Sequence, residues 1–445
     1  MTQALRRLSG TCVVLAVLVS TAPGGASANG LGCMGSHWVG AWATSPSNAA
    51  DSTFVNQSLR LVVTPTLAGR RLRVRLSNRL GSGRVTFSSA FVARRRTGAA
   101  LVPHTSRRLR FGGRPSVTIA PGTEVVSDST RLRFRAFQEL AVSVHVRGTA
   151  AGASQHLVAL QTSYSTRPGG GDHAVDTSAD AYTSSLGSWP YLTDVEVIAP
   201  RTVGAVVALG DSITEGFPGP IDRNARYADF LARRLAGTAG PRLAVQNAGI
   251  SSNRLLGSFP RPFAGPSMLQ RLRADVLERA GVSSAIVIAG TNDLGQAPPP
   301  PTAGADRVIA GLRKLVRRLK RAGLRVLLGT LLPAGGHALE LHGTSDAVAK
   351  RNRINRWIRT QRIAEGAVDF HAALRDPAAP NRLLPAYDSG DHLHPSAKGY
   401  RAMARAVSLH RLRKPGCSVG RRERPGPRKG SATKLPSAIP SAARR

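Results

Sequence analysis

A chain of 445 residues with 42% hydrophobic side chains has enough apolar surface for two ordinary domains, which excludes a wholly disordered polymer. The formal net charge is +37, yet only 7 of the 62 basic residues are lysines. The arginines run along the whole chain, mostly alternating with apolar residues, and no recognition motif with interleaved aromatics accompanies them. This reads against a specific nucleic-acid partner and leaves loose attraction to acidic polymers or anionic lipid.

At the N-terminus Arg6 and Arg7 precede an apolar run, Cys12 to Val19, too short to span a bilayer. Ala26-Ser27-Ala28 supplies small residues for cleavage, so residues 1–28 read as a signal peptide and the product as secreted. An uncleaved anchor is the alternative. Gly32-Cys33 invites lipid attachment, but a lipoprotein signal wants an aliphatic residue where Gly30 stands. No other apolar stretch is long enough to cross a membrane. Cleavage removes Cys12 and leaves Cys33 and Cys417, which in an oxidising compartment either pair or stay as free thiols.

Residues 36–199 carry a period of two. Leu72, Val74 and Leu76 alternate with Arg71, Arg73 and Arg75; Leu140, Val142, Val144 and Val146 alternate with Ala141, Ser143 and His145. Turn signals such as Gly81-Ser82-Gly83 and Pro121-Gly122 separate several runs, so short strands with one wet face form an antiparallel β-sandwich-like domain. From Arg201 to Arg413 the pattern changes. Val203 to Leu209 is unbroken and apolar, as in a strand buried on both faces, and similar runs recur at Leu243–Val245, Ala285–Ala289, Val326–Leu332 and Ala367–Phe370. Between them lie helices, the clearest with Val308, Ile309, Leu312, Leu315, Val316 and Leu319 on one face. Strands alternating with helices give an α/β domain with a parallel sheet and right-handed crossovers, its last helix starting near Pro395. Residues 414–445, with nine basic residues and one acid, read as a disordered basic tail.

Reactive groups in such a sheet gather at the carboxyl ends of the strands. Gly210-Asp211-Ser212 follows the first strand, where Ser212 is either a nucleophile at a helix N-terminus or simply that helix's cap. Asn247-Ala248-Gly249 follows the second, and Gly249 lets backbone approach a ligand or merely makes a turn. Gly290-Thr291-Asn292-Asp293 follows the third, where Asn292 offers an uncharged amide donor or is a turn residue. Asp391-His392-Leu393-His394 precedes the last helix, and an Asp and a His three apart on a tight turn can bond and fix the imidazole tautomer. A metal on Asp391, His392 and His394 would want more ligands, and Asp388 is the one close candidate. Together the four segments supply a nucleophile, a base, an orienting acid and oxyanion donors, the inventory for acyl transfer.

These four segments resemble the blocks of the SGNH/GDSL hydrolase superfamily. The resemblance implies a flavodoxin-like three-layer α/β/α fold. It implies Ser212 as nucleophile, His394 as general base, Asp391 as its partner, and an oxyanion hole of Ser212 N–H, Gly249 N–H and Asn292. It implies no metal and no organic cofactor. Trp38-Val39-Gly40-Ala41-Trp42-Ala43 and Leu72-Arg73-Val74-Arg75-Leu76-Ser77-Asn78 are similar to the N-terminal β-domain of large secreted actinobacterial-type members. Glu215 stands where Asp is frequent, and Thr291 where an aliphatic residue is often found.

The expected product is a monomeric, secreted serine ester hydrolase whose substrate is an acylated carbohydrate or a lipid. A lipase or phospholipase for longer acyl chains, and a polymer-binding protein with secondary catalysis, are the competing readings. Arg254, after the second block, is a candidate substrate contact. His337 and His342 in their Gly-rich loop read as solvated, His371 as a satisfied structural histidine, and Pro298–Pro301 as a stiff loop near the third block.

Overall fold

Strand Gly69–Ser77 buries Leu72, Val74 and Leu76 and turns Arg71, Arg73 and Arg75 the other way, as successive side chains of a strand must. The computed structural model to which this strand belongs describes residues 34–259, 261–296 and 302–413. The expected signal peptide, the basic tail, Cys33, Cys417 and Pro298–Pro301 lie outside the described residues.

Gly69–Ser77 sits in an antiparallel sheet between Leu192–Pro200 and Thr130–Phe134, with Ser36–Ala43 beyond Leu192–Pro200. A second, larger sheet is centred on Thr53–Val63, Leu140–Ala151 and Val85–Thr97. Their facing sides share one core, in which Leu72, Val74 and Leu76 meet Leu59, Leu61, Val142 and Val144. One expectation fails here. Leu140–Val146 has no wet face, because all seven residues are buried. The polar side is covered by the chain around residues 172–182. Arg60 lies beneath it, donating from Nε to Ser143 Oγ at 2.9 Å and from Nη2 to Asp176 O at 2.6 Å, with its guanidinium 3.9 Å from the centre of the Tyr182 ring.

The second half is built on five parallel strands: β1 (Gly204–Gly210), β2 (Leu243–Gly249), β3 (Val282–Val287), β4 (Arg325–Gly329) and β5 (Gly366–Val368). Their order is β2-β1-β3-β4-β5, all neighbours parallel, so the direction of winding reverses beside β1. The helices are α1 (Ser212–Glu215), α2 (Tyr227–Ala236), α3 (Met268–Leu272), α4 (Thr291–Gly295), α5 (Ala305–Arg321), α6 (Ser345–Thr360), α7 (Phe370–Leu374), α8 (Ala397–Ala406) and α9 (Leu409–Leu412). Helix α2 packs with α8, whereas α5 packs with both α3 and α6, as right-handed crossovers in opposite directions require. Helix α5 buries the apolar stripe read from the sequence. Helix α8 starts two residues after Pro395, because Ser396 caps it by accepting the Gly399 N–H at 3.3 Å.

The two halves share apolar and polar contacts. Val203, Ala205 and Ala244 belong to the core of the N-terminal half. Gln246 Nε2 donates to Gly40 O at 3.0 Å, and Arg279 Nη1 to Asp194 Oδ1 at 2.6 Å.

Candidate active site

An apolar strand running straight into Asp211-Ser212 leaves the helix α1 start to be capped by whichever side chain folds back. Asp211 does so, accepting the Ile213 N–H at 3.1 Å. The capping alternative for Ser212 therefore falls. Ser212 is the first helical residue, its N–H is one of those a helix leaves unpaired at its start, and its hydroxyl is free for other work. Burial pushes the Asp211 carboxyl up to about 6.

The Ser212 hydroxyl lies 2.8 Å from His394 Nε2, across 182 residues of chain. His394 Nδ1 lies 2.5 Å from Asp391 Oδ2. Asp391 Oδ1 accepts the N–H groups of Leu393 and His394 at 3.0 and 2.8 Å and the Ser389 hydroxyl at 3.1 Å, so the carboxylate is tied to its own turn. Burial alone would raise the Asp391 carboxyl, but its bonds from the His394 ring and backbone hold it well below the usual carboxylate range. An ionised Asp391 facing Nδ1 places the ring hydrogen there and leaves Nε2 to accept from Ser212. The Phe217 ring stands at near right angles to the His394 ring, 5.2 Å between centres, and Phe217 O accepts the Tyr400 hydroxyl at 2.5 Å. His392, in the left-handed region at φ 61°, turns away and bonds Asp388 Oδ2 through Nδ1 at 2.6 Å. Among the described residues no group of three or more His, Cys, Asp and Glu side chains is arranged to hold a metal.

Helix α4 brings up the third segment. Asn292 Nδ2 donates to Asn253 O at 3.0 Å, which uses one of its two hydrogens and keeps the other. Asp293 accepts the N–H groups of Leu255 and Leu256 at 2.8 and 3.0 Å, pinning the chain that follows β2. Burial raises its carboxyl. Sequence reasoning gave Asp293 no task, although its place beside Asn292 was visible.

Gly249 departs from expectation. Its N–H already donates to Asn247 Oδ1 at 2.8 Å, while Asn247 Nδ2 holds Thr214 O at 2.7 Å, so the N–H is not free to meet a ligand. The glycine is needed for a different reason: a Cβ there would lie 2.1 Å from Glu215 N, inside the backbone of α1.

Arg254 also differs from its expected role. It is 4% exposed, its Nε donates to Gln296 Oε1 at 2.7 Å, and its guanidinium lies 4.4 Å from the centre of the Phe259 ring. It braces the loop from beneath rather than facing an open cleft. His337 and His342 are buried, not solvated. His337 Nδ1 meets Asp391 O at 2.7 Å, and the His342 ring is 3% exposed against α4. His371 is buried too, with no hydrogen-bond partner for Nε2 among the described residues.

Sequence reasoning missed Arg271. Fully buried, it donates from Nη2 to Gly210 O and from Nη1 to Ala248 O, both at 2.8 Å, and from Nε to Asn253 Oδ1 at 3.0 Å. It thus joins the ends of β1 and β2 and the following loop. In a chain so rich in arginine, no local signal sets this one apart.

Residues 208–402 match the model of the GDSL-like Lipase/Acylhydrolase family. No curated protein matches the chain. Among solved structures, a GDSL-like lipase from Bacteroides thetaiotaomicron is similar at 21% identity and a TM-score of 0.35, covering 46% of this chain and 87% of that one. A member of the lipolytic protein G-D-S-L family from Veillonella parvula is similar at 16% identity and 0.34, covering 45% and 94%. A carbohydrate acetylesterase family member from Sinorhizobium meliloti is similar at 18% and 0.38, covering 47% and 99%. The family match runs from the last residues of the strand beside Ser212 through the turn that carries Asp391 and His394, so this segment is a GDSL-like lipase/acylhydrolase domain and the chain that bears it is a carboxylic ester hydrolase.

Proposed function

We propose that the chain is an exported serine ester hydrolase that works through an acyl-enzyme, with Ser212 as nucleophile, His394 as general base and Asp391 as its orienting partner. The observation that carries this is the continuous relay from Ser212 Oγ to His394 Nε2 at 2.8 Å and from His394 Nδ1 to Asp391 Oδ2 at 2.5 Å. As Ser212 Oγ attacks an ester carbonyl, its proton passes to Nε2, and Asp391 stabilises the imidazolium that forms. The free N–H of Ser212 and the second amide hydrogen of Asn292 meet the developing oxyanion. His394 then gives the proton to the leaving alcohol, and water releases the acyl group by the same route. Every proton is handled by these side chains, so no step calls on a metal or an organic cofactor.

In this reading residues 36–199 form the β-sandwich-like domain and 201–413 the SGNH/GDSL domain of flavodoxin-like, three-layer type. Residues 1–28 serve export, and the monomeric product keeps a loose attraction to anionic surfaces. Between an acylated carbohydrate and a lipid, the rim favours an apolar group near the reacting carbon. Phe217, 40% exposed, stands against His394, and Ile221 is exposed on the same loop. Ser212→Ala is expected to abolish turnover of p-nitrophenyl acetate and butyrate while leaving the thermal melt nearly unchanged; retained turnover overturns the assignment. Esters of rising chain length, run beside acetylated xylan, then separate the substrate classes: sharp preference for acetyl points to sugars, and tolerance of longer chains to lipids.

A further inference from the structure

Glu215 closes α1 three residues after Ser212, and its side chain is 3% exposed. On one side it accepts the Ser251 hydroxyl and the Ser251 N–H, from the loop after β2. On the other its Oε1 lies 3.3 Å from His156 Nε2, on the short strand Ser154–His156 of the N-terminal half. His156 is itself fixed. Its Nδ1 faces Ser45 O at 2.8 Å, its Nε2 faces Val158 O at 3.1 Å, and its ring stacks on Trp189 at 5.6 Å. The pair borders a cavity between the two halves, whose lining includes Trp42, Gln161, Asn224, Asn247 and the carboxylate of Asp229. Arg226 and Arg271 are the charged groups facing both members of the pair.

Both nitrogens of His156 face oxygen, and a neutral imidazole donates from only one. With Glu215 ionised and His156 neutral, a lone pair is left against oxygen in a buried place. One proton shared between Glu215 and Nε2 turns that contact into a hydrogen bond while Nδ1 donates to Ser45 O; Val158 O is served as well only when the proton lies on Nε2. What it secures is the site. Ser251 belongs to the loop whose Asn253 O receives the Asn292 amide at 3.0 Å, so His156, Glu215, Ser251, Asn253 and Asn292 form a line from the N-terminal half to the oxyanion donor.

We propose that Glu215 and His156 are a positioning pair, through which the N-terminal half holds the Ser212 helix against the loop 250–253. This rests on the ester-hydrolase reading above. Burial pushes the Glu215 carboxyl up to about 7 and the His156 ring down to about 4. Below about pH 7 the shared proton therefore sits on Glu215. It is present below that pH and lost above it, and the hold on α1 loosens as it leaves.

The test uses the full chain, turnover of p-nitrophenyl acetate, and the rate at which an organophosphonate p-nitrophenyl ester labels Ser212 per folded molecule. His156→Ala and Glu215→Ala are expected to lower kcat by about tenfold or more with KM within about threefold, since a slightly misplaced nucleophile costs turnover before binding. Glu215→Gln mimics the protonated acid: its amide donates to His156 Nε2 and its oxygen accepts from Ser251. It is expected to recover most of the loss and to keep its turnover level above about pH 7, where wild-type turnover is expected to fall. Wild-type kcat in both alanine variants, or a Glu215→Gln protein as impaired as Glu215→Ala, overturns the proposal. If the alanine variants do not fold, an unchanged labelling rate in folded His156→Gln overturns it equally. A wild-type chain inert toward every ester tried would instead defeat the hydrolase reading.

Discussion

Arg271 donates to the carbonyl oxygen of Gly210 at 2.8 Å, two residues before Ser212. Its other bonds reach Ala248 O, Asn253 Oδ1, Ser45 Oγ and Asp275 Oδ2, the last at 2.9 Å, and both ionic side chains are fully buried. Removing one partner of such a pair strands the other and leaves buried carbonyls unpaired. Arg271→Met is therefore expected to cost about 3–5 kcal/mol in urea unfolding. A loss under about 1 kcal/mol would mean that Arg79 and Arg279, which also face Asp275, suffice alone.

Gly249 tests close approach. The added Cβ of Gly249→Ala, 2.1 Å from Glu215 N, must displace α1 or the end of β2. Turnover is expected to fall on the order of a hundredfold, because α1 carries Ser212, the proposed nucleophile. Activity within twofold of wild type would show that the helix can yield without moving Ser212.

Asp391→Asn keeps an oxygen for the Leu393 and His394 N–H groups, so the turn and the melt should persist. The amide then faces His394 Nδ1 as a donor, and the ring takes the wrong tautomer. The expected loss in kcat is on the order of a thousandfold or more. A small loss would assign the orientation of His394 to packing against Phe217 instead.

His342 makes acid stability measurable. Burial holds its ring down at about 3, against an ordinary value of 6.5, and outweighs the Glu340 carboxylate, whose Oε2 lies 3.4 Å from Nδ1. The folded chain keeps it neutral while the unfolded chain protonates it. Its contribution is therefore whole above pH 6.5 and is lost as pH falls toward 3. His342→Phe removes that linkage. Between pH 7.5 and 5 the variant should gain about 2 kcal/mol relative to wild type in chemical denaturation. An identical pH dependence in the two proteins would contradict a buried neutral ring.

The parts of the fold that were legible in the sequence share one property: burial there is decided by the segment itself. Val203 to Leu209 is apolar on both faces and becomes β1, and the α5 stripe needs nothing beyond its own spacing. The turns bearing Ser212 and His394 were legible as strand ends and helix starts, and the structure brings them to 2.8 Å. The rest depends on distant chain. His342 sits in a Gly-rich loop that reads as wet, but Gly295 leaves room for its ring, where a Cβ would lie 2.1 Å away. The polar side of Leu140–Val146 reads as solvent-facing until the chain around residues 172–182 covers it. Gly249 shows a subtler limit: a glycine kept for its N–H and one kept for its missing Cβ look identical in one sequence.

Val203, Ala205 and Ala244 sit in the N-terminal core although they open the strands that end at the site. A chain begun at Arg201 would present this apolar floor to water, and a front half borrowed from another esterase would meet it with ill-fitting side chains. The two halves cannot be swapped as cassettes. New acyl preferences are better sought at Phe217 and Ile221, which are exposed and lie outside that apolar floor.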